Sequence, residues 1–298
     1  MRTQRSTPPK AEWGANLPLR IDALSATPAN DPLPADARET IEALLDALES
    51  GKIRAAERSA TGQWAAVTWV KRGILLGFRL GRLTNMSIPD DALGENRFTF
   101  FDKDTFPLRV LSLRDEVRLV PGGSAVRRGA HVGEGVICMP PMYVNVGAHV
   151  AADTMIDSHV LVGSCAQIGE RVHLSAGAQI GGVLEPVNAS PVVVEDEVIV
   201  GGNCGVYEGT VVRCRAVLGA GVVLTRGTPV YDLVRERVYR GSAQRVLEIP
   251  EAAVVVPGSR AIRSQWAESE GLSLQTPVIV KYRDEKTDMA TALEAWLR

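Results

Sequence analysis

The chain has no run of about 20 apolar residues, so the sequence offers no helix able to span a membrane. It has no basic surplus either: 33 lysines and arginines face 35 acidic residues, a net charge of −2. Binding a phosphate backbone needs such a surplus, which excludes nucleic acid as the main partner. The N-terminus, MRTQRSTPPKAEWG, lacks the apolar core of a secretory signal and implies a cytoplasmic protein. No CxxC pair occurs among the four cysteines, Cys138, Cys165, Cys204 and Cys214. They read as reduced thiols, with Cys138 and Cys204 buried, rather than as zinc ligands. A length of 298 residues allows one large or two modest domains.

What the sequence does have is a period of six. Aliphatic residues or cysteine recur at Val126, Val132, Cys138, Val144, Val150, Ile156, Val162, Ile168, Leu174 and Ile180. After an apparent two-residue slip they resume at Val194, Val200, Val206, Val212, Leu218 and Leu224. The residue two before each is mostly small or β-branched, as at Ala130, Ala148, Thr154 and Ala166, and Gly often follows, as at Gly133, Gly163, Gly169 and Gly181. A six-residue period fits neither an α-helix nor a two-residue strand alternation. It predicts a parallel β-helix of hexapeptide repeats, left-handed, with about 18 residues per three-sided coil. The aliphatic residue points inward and the small one packs beside it, because the interior has no room for two large side chains. The glycines are expected to supply positive φ and close approach at the corners.

The flanks read differently. Residues 1–30, rich in Pro, Ala and Thr, suggest a flexible start. Asp36 to Leu48 has helical spacing, with Asp36 as N-cap and Gly51 as stop. IRAAERS-TG-QWAAVTW predicts a hairpin and Val70 to Leu80 a short helix. These elements define an N-terminal α+β cap over 1–110, followed by a β-helix over 111–235 that starts near Val120. A C-terminal extension over 236–298 holds an irregular excursion (YDLVRERVYRGSAQR), a β segment (PEAAVVVPGSRAI), a last edge strand (QTPVIVKYRDEKT) and a terminal helix over 287–297. That helix would cover the open strand edge.

At this point the residues resemble a family. The stretches GQWAAVTWVKRGILLGFRL, RLVPGGSAVRRGAHV, DTMIDSHVLVGSCAQIGERVHLSAGAQIGGVLEP, VYEGT, PEAAVVVPGS and VIVKYRDEKT look like tetrahydrodipicolinate N-succinyltransferases, over about residues 36–298. The resemblance implies succinyl transfer from succinyl-CoA to tetrahydrodipicolinate in lysine and diaminopimelate biosynthesis. Succinyl-CoA would be a cosubstrate, with no permanently bound cofactor, and the protein a homotrimer. The chemistry needs cationic or N–H clamps for a dianionic acceptor, a base for the amine and donors for an oxyanion.

Carried over residue by residue, the resemblance makes Asp157, in TMIDSH, the catalytic acid–base group and a substrate contact. It makes Arg118, in VRLVP, a carboxylate clamp suited to its forked donors. Many relatives have a glutamate where Gly205 aligns. Glu208, in VYEGT, is the nearest carboxylate and is a second catalytic candidate, with substrate binding or support of the coil as its alternatives. Asn145 and Ser164 could orient substrate. Gly182, Gly219, Ala220, Arg226 and Lys281 are candidates for CoA, and Arg240, Arg283 and Lys286 further candidates for its phosphates. Counting faces through the slip puts Asp157 on the third face and Glu208 on the second. One prism cannot bring two of its faces together, so this phase agrees with sites between subunits of a trimer.

Three of the four histidines, His131, His149 and His173, share one hexad position just before an inward residue. Repeat preference explains them without chemistry. The competing readings are an acetyl-CoA enzyme acting on a sugar or amino acid with a histidine base, and a metal-binding β-helix using the 18-residue spacing of His131 and His149.

Overall fold

A computed structural model of the chain describes residues 16–90, 95–242 and 245–284. Lys286 and the expected terminal helix lie outside them. Two-residue strands dominate, and consecutive ones visit three parallel sheets in turn. The first sheet stacks Ala125–Val126, Tyr143–Val144, Leu161–Val162, Gln179–Ile180, Gly205–Val206 and Val223–Leu224. The second stacks His131–Val132, His149–Val150, Gln167–Ile168, Val193–Val194, Val211–Val212 and Glu248–Ile249. The third begins at Arg118–Leu119 and runs through Ile137–Cys138, Met155–Ile156, His173–Leu174, Ile199–Val200 and Val217–Leu218. The second residue of nearly every strand is buried, and these residues form one continuous core with Ala130, Ala148, Val160, Ala166, Val172 and Ala178 between them. Leu119, at 41% exposed on the first strand of the third sheet, is the exception.

The turns explain the small-residue positions. Positive φ falls three residues before an inward one, at Gly129, Gly135 and Gly147 but also at Asp153, His159, Cys165, Arg171, Asn203 and Arg215. Each non-glycine there costs roughly 1–2 kcal/mol of backbone strain, offset because the turns stack. The amides of Asp153, Cys165, Arg171 and Arg215 each donate to the turn one coil earlier. The glycines that follow the inward residue do not adopt positive φ, contrary to expectation; they serve close approach alone. A Cβ on Gly163 would lie 2.2 Å from the Gly182 nitrogen.

The break after Ile180 also differs from the sequence reading. Ile180 pairs with Val206, 26 residues on, whereas Val162 pairs with Ile180 at the repeat step of 18. The corner therefore carries eight extra residues rather than a two-residue slip, and Val194 lands on the second sheet. Glu208 consequently follows the first sheet, not the second.

The cap is built from α1 (Leu17–Ser25), α2 (Ala37–Glu49) and α3 (Thr68–Leu80). α1 lies within the stretch expected to be flexible; it buries Leu17, Ile21 and Leu24 and has Pro in its first turn, where a missing N–H costs nothing. Asp36 does precede α2, but its side chain makes no capping bond. α2 and α3 cross closely, because a Cβ on Gly73 would sit 2.3 Å from Leu44 Cδ2. The predicted hairpin is Ala56–Arg58 with Trp64–Ala66. The cap core includes Val146 and Cys165 of the coil, so the cap is seated on the second sheet and its first-sheet corner.

Polar bonds fix that seat. Arg54 Nε donates to Gln167 Oε1 (2.8 Å), and Trp64 Nε1 to the buried Glu195 (2.8 Å). Arg213 also donates to Glu195 (2.8 Å). The His131 and His149 rings stack at 4.4 Å on the same face, and His131 Nδ1 meets Glu49 O at 2.9 Å. These histidines occupy outward strand positions. Burial, then Arg54 and His131, push His149 down to about 2, and burial lowers His131 as well. The unfolded chain therefore takes up protons below about pH 6.5 that the folded one refuses. Stability is expected to be flat above pH 7 and to fall below about 6.5, by at most about 1.4 kcal/mol per pH unit for each histidine. Denaturant melts between pH 8 and 5 read this; His149→Gln should flatten the slope, and an unchanged slope would contradict the assignment.

After Leu224 the expected irregular excursion is an antiparallel hairpin, Val230–Asp232 with Arg237–Tyr239. Ala253–Ala261 extends the third sheet, and Ser273–Tyr282 lies between it and Val230–Asp232. The strand read as the last edge is thus interior to the sheet, since Arg237–Tyr239 takes the edge. A short helix α4 (Gln265–Ser269) sits at the tip of the long hairpin. Among the described residues no helix is long and apolar enough to cross a membrane.

Candidate active site

Most of the residues singled out lie on two edges that bound the first sheet. The edge between the third and first sheets carries Asp157, just after inward Ile156. Gly219 and Ala220 occupy the same edge three coils on, after Leu218. The edge between the first and second sheets carries Asn145, Ser164, Gly182, Glu208 and Arg226 in successive coils.

Asp157 is half-buried. Its amide donates to Leu174 O (2.9 Å), which fixes the backbone in the ladder. Its Oδ1 accepts from the Ser158 amide (2.7 Å). The other carboxylate oxygen takes no hydrogen bond from a described residue and is available to a ligand. Gln179 steadies the same turn, its Nε2 donating to His159 O (3.1 Å). Arg118 is exposed on the first strand of the third sheet, two coils before Met155–Ile156.

The second edge is more committed to structure. Asn145 Oδ1 accepts from the Val146 amide (2.8 Å) and from Arg127 Nη1 (3.5 Å). Arg127 itself lies over the Phe78 and Phe106 rings of the cap. Ser164 O accepts from the Val183 amide (3.1 Å), so Ser164 roots the eight-residue insertion beside Gly182. Glu208 is exposed, with φ of 55°, and its Oε2 accepts from the Arg226 amide (2.9 Å).

The sequence reading missed Lys71. Its side chain is fully buried, yet no carboxylate pairs with it among the described residues. Its ammonium donates to Ala189 O (2.6 Å) and Pro186 O (3.3 Å), pinning the insertion from the cap side. Burial lowers its pKa. The only sequence signal was the lysine among the three basic residues that punctuate an otherwise apolar helix.

Among the CoA candidates, Lys281 lies two strands beyond Val217–Leu218 in the third sheet, pairing across strands with Val254 and meeting Asp284 at 3.5 Å. Arg283 is used structurally, donating to Glu197 O (2.9 Å). Arg240 lines a groove of about 600 Å³ together with Arg260, Arg263, Ser259 and Tyr231. Pro257, two residues before Ser259, packs near Gly221, so this groove lies beyond the last coil on the Asp157 side. Cys138 and Cys165 are pushed up to about 12 by burial, which leaves them inert as nucleophiles.

Three sheets of hexad strands beneath a helical cap, with one carboxylate oxygen open at an edge, are the features of the hexapeptide-repeat transferase class. Residues 191–226 match a family model described as the hexapeptide repeat of succinyl-transferase, and residues 22–80 match that of the tetrahydrodipicolinate N-succinyltransferase N-terminal region. The chain is 40% identical over 272 residues to the 2,3,4,5-tetrahydropyridine-2,6-dicarboxylate N-succinyltransferase of Nitrobacter hamburgensis, covering 88% of this chain and 90% of that one. It is 37% identical over 285 residues to the protein of the same name from Idiomarina loihiensis, covering 93% of each. A Campylobacter jejuni crystal structure described as a 2,3,4,5-tetrahydropyridine-2-carboxylate N-succinyltransferase shares the fold, with a TM-score of 0.55 at 20% identity. That match covers 83% of this chain and 63% of the other. The chain belongs to the tetrahydrodipicolinate N-succinyltransferase family.

Proposed function

We propose that this protein transfers succinyl from succinyl-CoA to tetrahydrodipicolinate, giving N-succinyl-2-amino-6-oxopimelate and CoA in lysine and diaminopimelate biosynthesis. The observation that carries the reading is the Asp157 edge, an available carboxylate oxygen on a turn braced by Gln179, in a chain 40% identical to enzymes of that name. Water adds to the cyclic imine and the ring opens, freeing an amine. The amine nitrogen bonds to the thioester carbon as the carbonyl electrons move to oxygen, and Asp157 accepts the proton from nitrogen. The adduct collapses, the C–S bond breaks, and the CoA thiolate takes a proton.

The coil supports the placement of the donor. The pantetheine arm of CoA has the length of about four backbone residues, roughly 14 Å extended. Three strand spacings separate the Asp157 coil from that of Gly219 and Ala220, also about 14 Å. An arm laid along this edge would present its thioester near Asp157 and its phosphates near the groove of Arg240, Arg260 and Arg263. Arg118 would clamp an acceptor carboxylate, and Arg226 and Lys281 would contribute charge from their own edges. The coil is read as left-handed, the domains as 1–110, 111–235 and 236–298, and the assembly as a trimer with its clefts along these edges. A stable, active monomer in solution would contradict the trimer.

The test is thiol release with tetrahydrodipicolinate and either succinyl-CoA or acetyl-CoA. Turnover with succinyl-CoA at least 100-fold faster in kcat/KM is the expected result. A preference for acetyl-CoA would keep the fold and overturn the donor.

A further inference from the structure

The outward positions of the first sheet are Ala125, Tyr143, Leu161, Gln179, Gly205 and Val223. Gly205 alone among them has no side chain, and the space is taken. A Cβ built on Gly205 would lie 2.4 Å from Tyr207 Cε2 and 2.9 Å from the Tyr207 hydroxyl. A Cβ on Gly181, one coil earlier, would lie 2.8 Å from Tyr207 Cδ1. The ring therefore folds back from the Glu208 edge and lies over two glycines of adjacent coils. Its hydroxyl stands where a side chain at 205 would.

The backbone beneath the ring is held firmly. The Tyr207 amide donates to Leu224 O (2.9 Å), and Thr210 donates to Tyr207 O from both its amide (3.2 Å) and its hydroxyl (2.7 Å). The phenol oxygen has no hydrogen-bond partner among the described residues. Gly205 pairs with Gln179, which pairs with Leu161 on the strand that follows the Asp157 turn. Two strand spacings, about 10 Å across the sheet, separate Gly205 from Leu161, the residue four after Asp157.

A glutamate at this place could only accept hydrogen bonds when ionised, whereas a phenol donates one. We infer that Tyr207 is a catalytic residue of this enzyme: its O–H donates a hydrogen bond to the oxyanion of the tetrahedral adduct while Asp157 alone takes the proton from nitrogen. Gly181 and Gly205 are glycines because the ring needs their space. The inference rests on the transfer reaction proposed above and names a second group in the same site.

Tyr207→Phe keeps the ring and removes only the donor. Its kcat is expected to fall about 100-fold, the usual cost of one oxyanion donor, with KM for both substrates within about two-fold, since the contact forms in the transition state. Its melting temperature should match wild type. Gly205→Ala, which displaces the ring, should lose kcat similarly. Unchanged kcat in Tyr207→Phe, or a loss confined to KM, overturns the Tyr207 role while wild-type turnover preserves the reaction. Absence of wild-type turnover with succinyl-CoA overturns both.

Discussion

Asp157→Asn lowers kcat by about 10²–10⁴-fold, the range expected when one general base is removed. The substitution keeps the side-chain shape and the oxygen that accepts from the Ser158 amide, so the turn survives. Stability should change by less than about 0.5 kcal/mol. Asparagine cannot take a proton from the amine, so the loss belongs to kcat and kcat/KM together, not to KM. Steady-state kinetics beside a thermal melt separates the two effects. An Asn variant within about three-fold of wild type would remove Asp157 from the chemistry and leave the edge as a binding surface.

The second large effect concerns the fold. Gly163→Val should destabilise the coil by more than about 3 kcal/mol, the upper range for overpacking. The added Cβ would lie 2.2 Å from the Gly182 nitrogen, 2.5 Å from its Cα and 2.7 Å from the Gly181 carbonyl carbon. All three are backbone atoms of the next coil, so no rotamer change relieves the contact. The coils must separate, and in a solenoid that breaks the coupling between the stacks on either side. Guanidinium melts followed by circular dichroism measure it; a midpoint unchanged from wild type would show that the corner yields. Activity should fall with stability, because Ser164 and Gly182 flank this contact.

The repeat made most of this legible. An inward residue every six fixes which side chains fill the coil, and the buried Val126, Ile156, Ile168 and Leu218 lie where the period places them. It also placed Asp157 on an outward turn. The same periodicity hid the insertion. A hexad pattern reports position only modulo six, so a slip of two and an insertion of eight look alike. Glu208 was therefore assigned to the wrong face, although it still lies on a different edge from Asp157. The two edges bound a single sheet, so separation of faces no longer argues for a site between subunits.

Other features depend on distant partners that no local pattern records. α1 is short and proline-bearing, and it is ordered by burying Leu17, Ile21 and Leu24 against the other cap helices. Ser273–Tyr282 looked like an edge strand because its alternation is that of any half-buried strand; its neighbour on each side comes from elsewhere in the chain. Tyr207 carries no mark in the hexad pattern. Its meaning lies in the two glycines beneath its ring, one of them 26 residues away.

The central claim is that a succinyl group reaches nitrogen at the Asp157 edge. It is tested most directly by supplying succinyl-CoA labelled with carbon-13 in the succinyl group, together with tetrahydrodipicolinate, and weighing the products by mass spectrometry. The account predicts a labelled N-succinyl-2-amino-6-oxopimelate formed one-for-one with free CoA by wild type and suppressed in Asp157→Asn. Free CoA with unlabelled acceptor, or labelled product formed equally by the Asn variant, would contradict it.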